Sequence, residues 1–391
     1  MKVLFFIRSF FGGGAEKVLL DYVKGLDKKK YDITIMVRSP HGILKDQFLD
    51  LRHQGIHIRW CFDHLKPGKN LFEKVKNTLL LRLGDWSTYR CPRLFYKLAI
   101  HEKYDVEIAF MHDEAASIIA SSSNKHSKKL LWVHTDLRRL SSFKQYFISR
   151  KRQGAYYKKF DKCICVSQIV ADSISELFGI TENVHVLHNP VDQDRILTLS
   201  LNPSPLPVHT PPIVCAVGRL SWEKNFSMLI STHANLICKG IMHQLCIVGE
   251  GPERNALERQ IKQLGVENSV ILAGFQSNPY PYLKKAYVSV CSSVYEGLHI
   301  ASQESLVLGV PVVSCCAVTA EVFGDYNCGI ITEPDQTSFE AGLEKMLTDS
   351  TFRSKCAQQA TLRGQELGLE TAILAVEKLL EIKNGEKNHH S

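Results

Sequence analysis

No run of about 18 apolar residues, the length a membrane-spanning helix needs, occurs in this chain, so no transmembrane helix is expected. Cys-x-x-Cys pairs with a matching Cys or His pair are also missing, which removes the common structural zinc modules. Neither Gly-x-Gly-x-x-Gly nor Gly-x₄-Gly-Lys-Ser/Thr is present, so the familiar dinucleotide and P-loop phosphate fingerprints do not apply. There is no tandem repeat of fixed period and no low-complexity block. Between Lys2 and Arg8 the apolar residues Val3–Ile7 are too few for a signal-peptide core and no small-residue cleavage site follows. They read as a first strand.

What is present is the composition of a folded globular protein. The 391 residues exceed what one hydrophobic core supports and suggest two domains. Hydrophobic residues make up 45% and charged residues 23%, far from a disordered profile, with only the polar tail Lys383–Ser391 set apart. The net charge of +8 is uneven: residues 1–200 carry 33 Lys and Arg against 21 Asp and Glu, and residues 201–391 carry 15 against 19. A basic first half suits nucleic acid, an anionic membrane or a phosphorylated acceptor. Most of the twelve cysteines lie in apolar runs such as Cys163–Val166 and Val288–Cys291, which points to buried thiols and a reducing cytoplasm.

Short apolar runs rich in β-branched and aromatic residues recur at 2–7, 32–37, 105–110, 130–134, 163–167 and 184–188, and again at 213–217, 244–248, 269–273, 287–292, 311–315 and 329–332. Amphipathic segments separate them, which predicts parallel strands covered by helices. The expected fold is α/β, with two doubly wound, Rossmann-like parallel-sheet domains facing a central cleft. Six of the fourteen prolines fall between Pro190 and Pro212, predicting an extended interdomain linker over 191–212. The domains are therefore placed at 1–190 and 213–370, with a closing helix over 371–382 ahead of the tail. Ligand residues should follow strands, where open α/β sheets bind.

Three candidates meet that condition. Gly12-Gly13-Gly14 follows the first strand, where glycines let backbone approach an anion at a helix N-terminus, or simply make a tight turn. Arg219 and Lys224 follow the first strand after the linker and supply the cations a diphosphate needs, or are solvated loop charges. Glu296 and Glu304 flank a segment expected to turn at Gly297 and become helical at Leu298. That spacing places Glu296 at the helix mouth and Glu304 about two turns inside, where carboxylates accept bonds from ligand hydroxyls. Asp192-Gln193-Asp194 has the form of a metal-binding Asp-x-Asp, but it lies beside Pro190 in the linker and reads as a short acidic loop.

Together Gly218-Arg219…Lys224, Val248-Gly249-Glu250-Gly251-Pro252-Glu253, Glu296-Gly297-x₆-Glu304 and Gly309-Val310-Pro311-Val312-Val313 resemble the donor-binding half of retaining GT-B glycosyltransferases of family 4, the bacterial surface-polysaccharide type. Trp132-Val133-His134-Thr135 and His188-Asn189-Pro190-Val191-Asp192 extend the likeness into the first half. The resemblance implies transfer of a hexose or N-acetylhexosamine from a nucleotide-sugar, a UDP-sugar above all, to a saccharide or lipid-linked acceptor. No metal or other cofactor is implied. Arg219 and Lys224 would hold the diphosphate, with the N–H groups of Gly297 and Leu298. Glu304 would bind the ribose, Glu296 the transferred sugar, and Gly249, Gly274 and Phe275 would border the nucleotide. Gly13, Gly14 and His134 would act from the first domain, with His134, Glu296, Arg219 and Lys224 as the catalytic set. His299 stands where the family commonly has a small residue or proline.

Basic and aromatic residues interleave over Phe143–Lys162 and Leu71–Leu98, which suggests peripheral contact with an anionic membrane on its cytoplasmic face. No nucleic-acid-binding module accompanies them, and none is expected as a partner. A GT-B-like epimerase or phosphorylase, or a non-catalytic nucleotide-sugar-binding protein, shares the predicted architecture.

Overall fold

A computed structural model describes residues 1–382 apart from Gly12, Pro40, 63–70, 141–142, 205 and 207–210, and gives backbone only for 71–76, 85 and 143. The polar tail, Pro205, Pro207 and the Lys74 and Lys76 side chains thus lie outside the description.

The chain divides into two compact units, one of Met1–Pro190 with the segment from Glu370 onward, the other of Val191–Leu369. The first contains strands β1 (Lys2–Ile7), β2 (Asp32–Val37), β3 (His57–Trp60), β4 (Val106–Ala109), β5 (Lys128–Val133), β6 (Lys162–Cys165) and β7 (Val184–Val186). They pair in parallel in the order β3-β2-β1-β4-β5-β6-β7. Every residue of β1 after Lys2 is buried, as continuous apolar runs in a sheet covered on both faces require. Phe5, Tyr22, Phe110 and Trp132 join helix Gly14–Gly25 to the sheet through tilted and edge-on ring contacts.

The second unit contains β8 (Ile213–Val217), β9 (Gln244–Val248), β10 (Val270–Gly274), β11 (Val288–Cys291), β12 (Val312–Ser314) and β13 (Gly329–Ile331), again parallel, in the order β10-β9-β8-β11-β12-β13. Its core gathers Val214, Leu229, Ile247, Val288, Val313, Phe339 and Leu343. In both units the strand order reverses beside the first strand, between β1 and β4 and between β8 and β11. Ligands of doubly wound sheets sit at this switch point.

The expected α/β architecture of two Rossmann-like parallel sheets is present, with β3 in addition. The linker is not extended throughout. Residues Gln193–Ser200 form a helix within the second unit, whose N-cap Asp192 accepts from the Arg195 N–H at 3.0 Å. This capping carboxylate belongs to the Asp-x-Asp sequence. The closing helix runs over Leu369–Leu380 and packs on the first unit, where Ile373 lies against Gly25 and Lys128 Nζ donates to the Glu381 carbonyl at 2.6 Å.

Candidate active site

Along the carboxyl edge of the second sheet, the predicted residues follow the strand order. Gly274 closes β10, Gly249 follows β9, Gly218 and Arg219 follow β8, and Glu296 lies in the loop after β11. Backbone closeness explains the glycines. The Gly249 N–H donates to Gly274 O at 2.9 Å, and a Cβ at Gly249, whose φ is +156°, would fall 1.8 Å from Gly218 O. Gly274 has φ +73°, and Phe275 beside it is exposed.

The β8–β11 switch point holds an ion pair. Lys224, ending the 3₁₀ turn Trp222–Lys224, donates from Nζ to Glu296 Oε1, which also accepts from Ser293 Oγ at 2.7 Å. The side chains are only 19% and 14% exposed, so little water screens them. Burial works against the Lys224 charge, but Glu296 outweighs it and holds the ammonium above its ordinary pKa. Two hydrogen bonds to backbone carbonyls fix the turn to the β11 loop: Ser292 Oγ donates to Lys224 O at 2.7 Å, and Val294 N–H to Glu223 O at 2.8 Å. Arg219 is exposed, and its guanidinium has no hydrogen bond or ion pair among the described residues. Gly297 and Leu298 are buried, and their N–H groups make no hydrogen bond among the described residues.

The helix bearing Glu304 begins at Ile300 rather than Leu298, because His299 stays extended as its N-cap residue, with φ −80° and ψ 92°. Glu304 thus lies just over one turn inside. It is 4% exposed and accepts from Tyr280 OH at 3.2 Å.

Around His299 the structure shows a cluster unread in the sequence. Its Nδ1 lies 2.6 Å from Ser302 Oγ, and its ring is hydrogen-bonded to Cys291 at the end of β11. A hydrogen bond from Cys316, together with His299, holds the Cys291 thiol well below the ordinary range. Burial opposes charge on His299, but Cys291 outweighs it and raises the imidazole. Ligand atoms of Cys291, Glu296 and His299 lie within 4.8 Å of one another. The spacing Cys-x₄-Glu-x₂-His belongs to no common metal signature; only its position after a strand marked it.

In the first unit, Gly13 caps helix Gly14–Gly25, while Gly12 lies outside the described residues. His134 follows β5, and its Nε2 donates to Phe110 O at 3.1 Å. Burial, then neighbouring His112, push its pKa down to about 3, so at neutral pH Nδ1 presents a lone pair and no proton. A group the sequence did not suggest sits at this sheet's switch point. Buried Glu114, beginning the helix after β4, meets Arg8 at 3.5 Å and Arg38 at 3.2 Å. Burial, then Asp113, raise its pKa to about 8.

The two segments expected to meet a membrane differ in what they expose. Phe147, Tyr157 and Phe160 are buried, and Arg150 donates to the Leu137 and Leu140 carbonyls at 2.7 and 3.0 Å, so much of 143–162 serves the core. Helix Leu71–Arg90 instead exposes Leu79, Leu81, Leu83 and Trp86. No described helix is long and apolar enough to cross a membrane.

Comparison with known proteins places the chain in a family. The family model "Glycosyl transferases group 1" matches residues 201–363, and "Glycosyltransferase Family 4" matches 12–195. A Campylobacter jejuni protein named N-acetylgalactosamine-N,N'-diacetylbacillosaminyl-diphospho-undecaprenol 4-alpha-N-acetylgalactosaminyltransferase is 31% identical over 372 residues, 93% of this chain and 95% of that protein. The Rhizobium meliloti lipopolysaccharide core biosynthesis glycosyltransferase LpsE is 29% identical over 54% of this chain and 62% of its own length. Among solved structures, Anabaena Alr3699/HepE in complex with UDP and glucose superimposes with a TM-score of 0.74 at 19% identity, covering 97% of this chain and 99% of that one. The two consecutive family matches, the full-length relative and the paired Rossmann-like sheets establish that this chain belongs to the family 4, group 1 glycosyltransferases.

Proposed function

We propose that this glycosyltransferase moves a hexose or N-acetylhexosamine, with retention of anomeric configuration, from a UDP-sugar to a saccharide or lipid-linked acceptor in surface-polysaccharide synthesis. The observation that carries the reading is the Lys224–Glu296 pair at the β8–β11 switch point, followed in the chain by the N–H groups of Gly297 and Leu298, with the guanidinium of Arg219 in the loop after β8; these two amides and the guanidinium make no hydrogen bond or ion pair among the described residues. A diphosphate needs such cations and aligned amides, and they stabilise the charge that grows on it as the glycosidic bond breaks. The name of the Campylobacter relative favours a diphospho-undecaprenol-linked acceptor, and the UDP complex of the structural neighbour favours a UDP donor.

In this scheme Lys224 and Arg219 hold the diphosphate without a metal. Glu296 accepts from a hydroxyl of the transferred sugar, and Glu304 from the ribose once Tyr280 yields. Gly249, Gly274 and Phe275 flank the nucleotide. From the first unit, family resemblance assigns Gly13 and Gly14 to backbone contact with the donor and His134 to the sugar, where Nδ1 of its neutral ring accepts a hydrogen bond while Nε2 stays on the Phe110 carbonyl. The acceptor hydroxyl attacks from the face the diphosphate leaves, and a donor phosphate oxygen takes its proton. Exposed Leu79, Leu81, Leu83 and Trp86 rest on the cytoplasmic membrane surface, where a lipid-linked acceptor would be met.

A panel of nucleotide sugars tested by thermal denaturation checks the donor: at about 100 times its Kd the correct one adds roughly 2.7 kcal/mol. Stabilisation by no member would sink the assignment. Inverted configuration in the product by NMR would overturn retention, and loss of rate in excess chelator would overturn metal independence.

A further inference from the structure

We propose that Cys291, Glu296 and His299 form a site for a thiophilic divalent cation of the zinc class, and that its occupancy inhibits the enzyme. One thiol, one carboxylate and one imidazole compose a ligand set suited to zinc, which takes sulfur, nitrogen and oxygen tetrahedrally and leaves a fourth position for water. Bond lengths of about 2.0–2.3 Å place tetrahedral ligands roughly 3.3–3.8 Å apart. The three atoms here already lie within 4.8 Å of one another.

Their surroundings prepare each ligand. Cys291 is fixed by the end of β11, and the Cys316 thiol hydrogen-bonds to it. Ser302 engages Nδ1 of His299, leaving Nε2 to coordinate, the outer-shell arrangement that orients metal-binding histidines. Glu296 spends Oε1 on Lys224 and Ser293, so Oε2 remains for the ion. Binding releases one proton from the Cys291–His299 pair to buffer and forms a metal–sulfur bond; nothing is oxidised or reduced. Magnesium, which prefers oxygen ligands, does not compete for a thiolate.

Inhibition follows from Lys224. A dication on Oε2 stands beside the ammonium on Oε1 of the same carboxylate and repels it from the position proposed to hold the diphosphate. The metal site itself is independent of the donor reading, whereas the inhibitory consequence rests on it.

Cadmium titration of the full chain tests the site through the ultraviolet band of a cadmium–thiolate bond. Exposed Cys91 and Cys238 are first replaced in a C91S/C238S parent, kept reduced with a phosphine. We expect a saturable band at one equivalent, loss of that band in C291S, and affinity at least about tenfold weaker in H299Q. Zinc, but not magnesium, should inhibit transfer by the parent, and C291S should resist, each measured against its own uninhibited rate. If C291S fails to fold, H299Q decides by the same two readouts. A band undiminished by either substitution overturns the site, and zinc inhibition that persists in both variants overturns the inhibitory role. Metal binding without stabilisation by any nucleotide sugar leaves the site standing and removes the donor reading instead.

Discussion

Replacing Lys224 with methionine separates its structural from its catalytic contribution. Methionine keeps an unbranched apolar stem but removes the charge, leaving Glu296 with Ser293 as its remaining partner of the two described. Breaking a fully buried pair costs about 3–5 kcal/mol; residual exposure of 19% and 14% places this one near ~2–3 kcal/mol. The pKa of Lys224 is raised, so its contribution is complete below the ordinary lysine value of 10.5 and is lost as pH climbs through the higher folded value. The stability deficit of K224M should therefore be constant from about pH 6 to about pH 9. Loss of one preorganised electrostatic contact to the leaving group should lower kcat by about 10²–10³-fold. The double variant K224M/E296Q removes the orphaned carboxylate and should regain about 1–2 kcal/mol without regaining rate. Thermal melts and initial rates on the three proteins decide the matter. A double variant that recovered rate along with stability, or a K224M enzyme within about tenfold of the parent, would refute a direct role on the diphosphate.

Other positions give independent tests. G249A places a Cβ 1.8 Å from Gly218 O at φ +156°, so it should cost at least about 2 kcal/mol by thermal melt and weaken nucleotide binding by calorimetry. With a folded pKa near 3 against an ordinary 6.5, His134 stabilises fully above 6.5, and that contribution is lost as pH falls toward 3. H134Q should therefore lower kcat while leaving the shape of the pH–rate profile between about pH 6 and about pH 8 unchanged. Paired L79E/W86E substitution should reduce sedimentation with anionic vesicles severalfold while soluble-acceptor activity persists; unchanged sedimentation would exclude this helix as the docking face.

Much of this was legible because parallel strands buried on both faces must be continuous apolar runs. The central strands among the twelve expected are those whose residues have no other place to go, whereas the edge strands β7, β10 and β13 are partly exposed. Strand β3, His57-Ile58-Arg59-Trp60, escaped notice because an edge strand tolerates alternating charge. Proline density suggested an extended linker, yet Asp192 supplied a cap strong enough to start a helix between prolines. Burial was the harder quantity. Phe147, Tyr157 and Phe160 read as a membrane face among lysines, although the same interleaving fits helices whose aromatic side faces inward. At the candidate site, residue types were readable one by one, whereas pairing was not. The salt bridge between Lys224 and Glu296 depends on β8 and β11 being neighbours, which strand order alone decides, and the meeting of Cys291 with His299 depends on the loop after β11 folding back to the strand end.

The return of the last helix to the first unit has a consequence for biosynthesis. Residues Val191–Leu369 must all emerge from the ribosome before the helix that contacts Gly25 and Lys128 exists. At about 5–20 residues per second, the N-terminal sheet waits about 10–35 s with that flank uncovered while the second unit is made. A nascent chain halted in that interval would present an apolar surface where Ile373 belongs, and would be a natural client for chaperones.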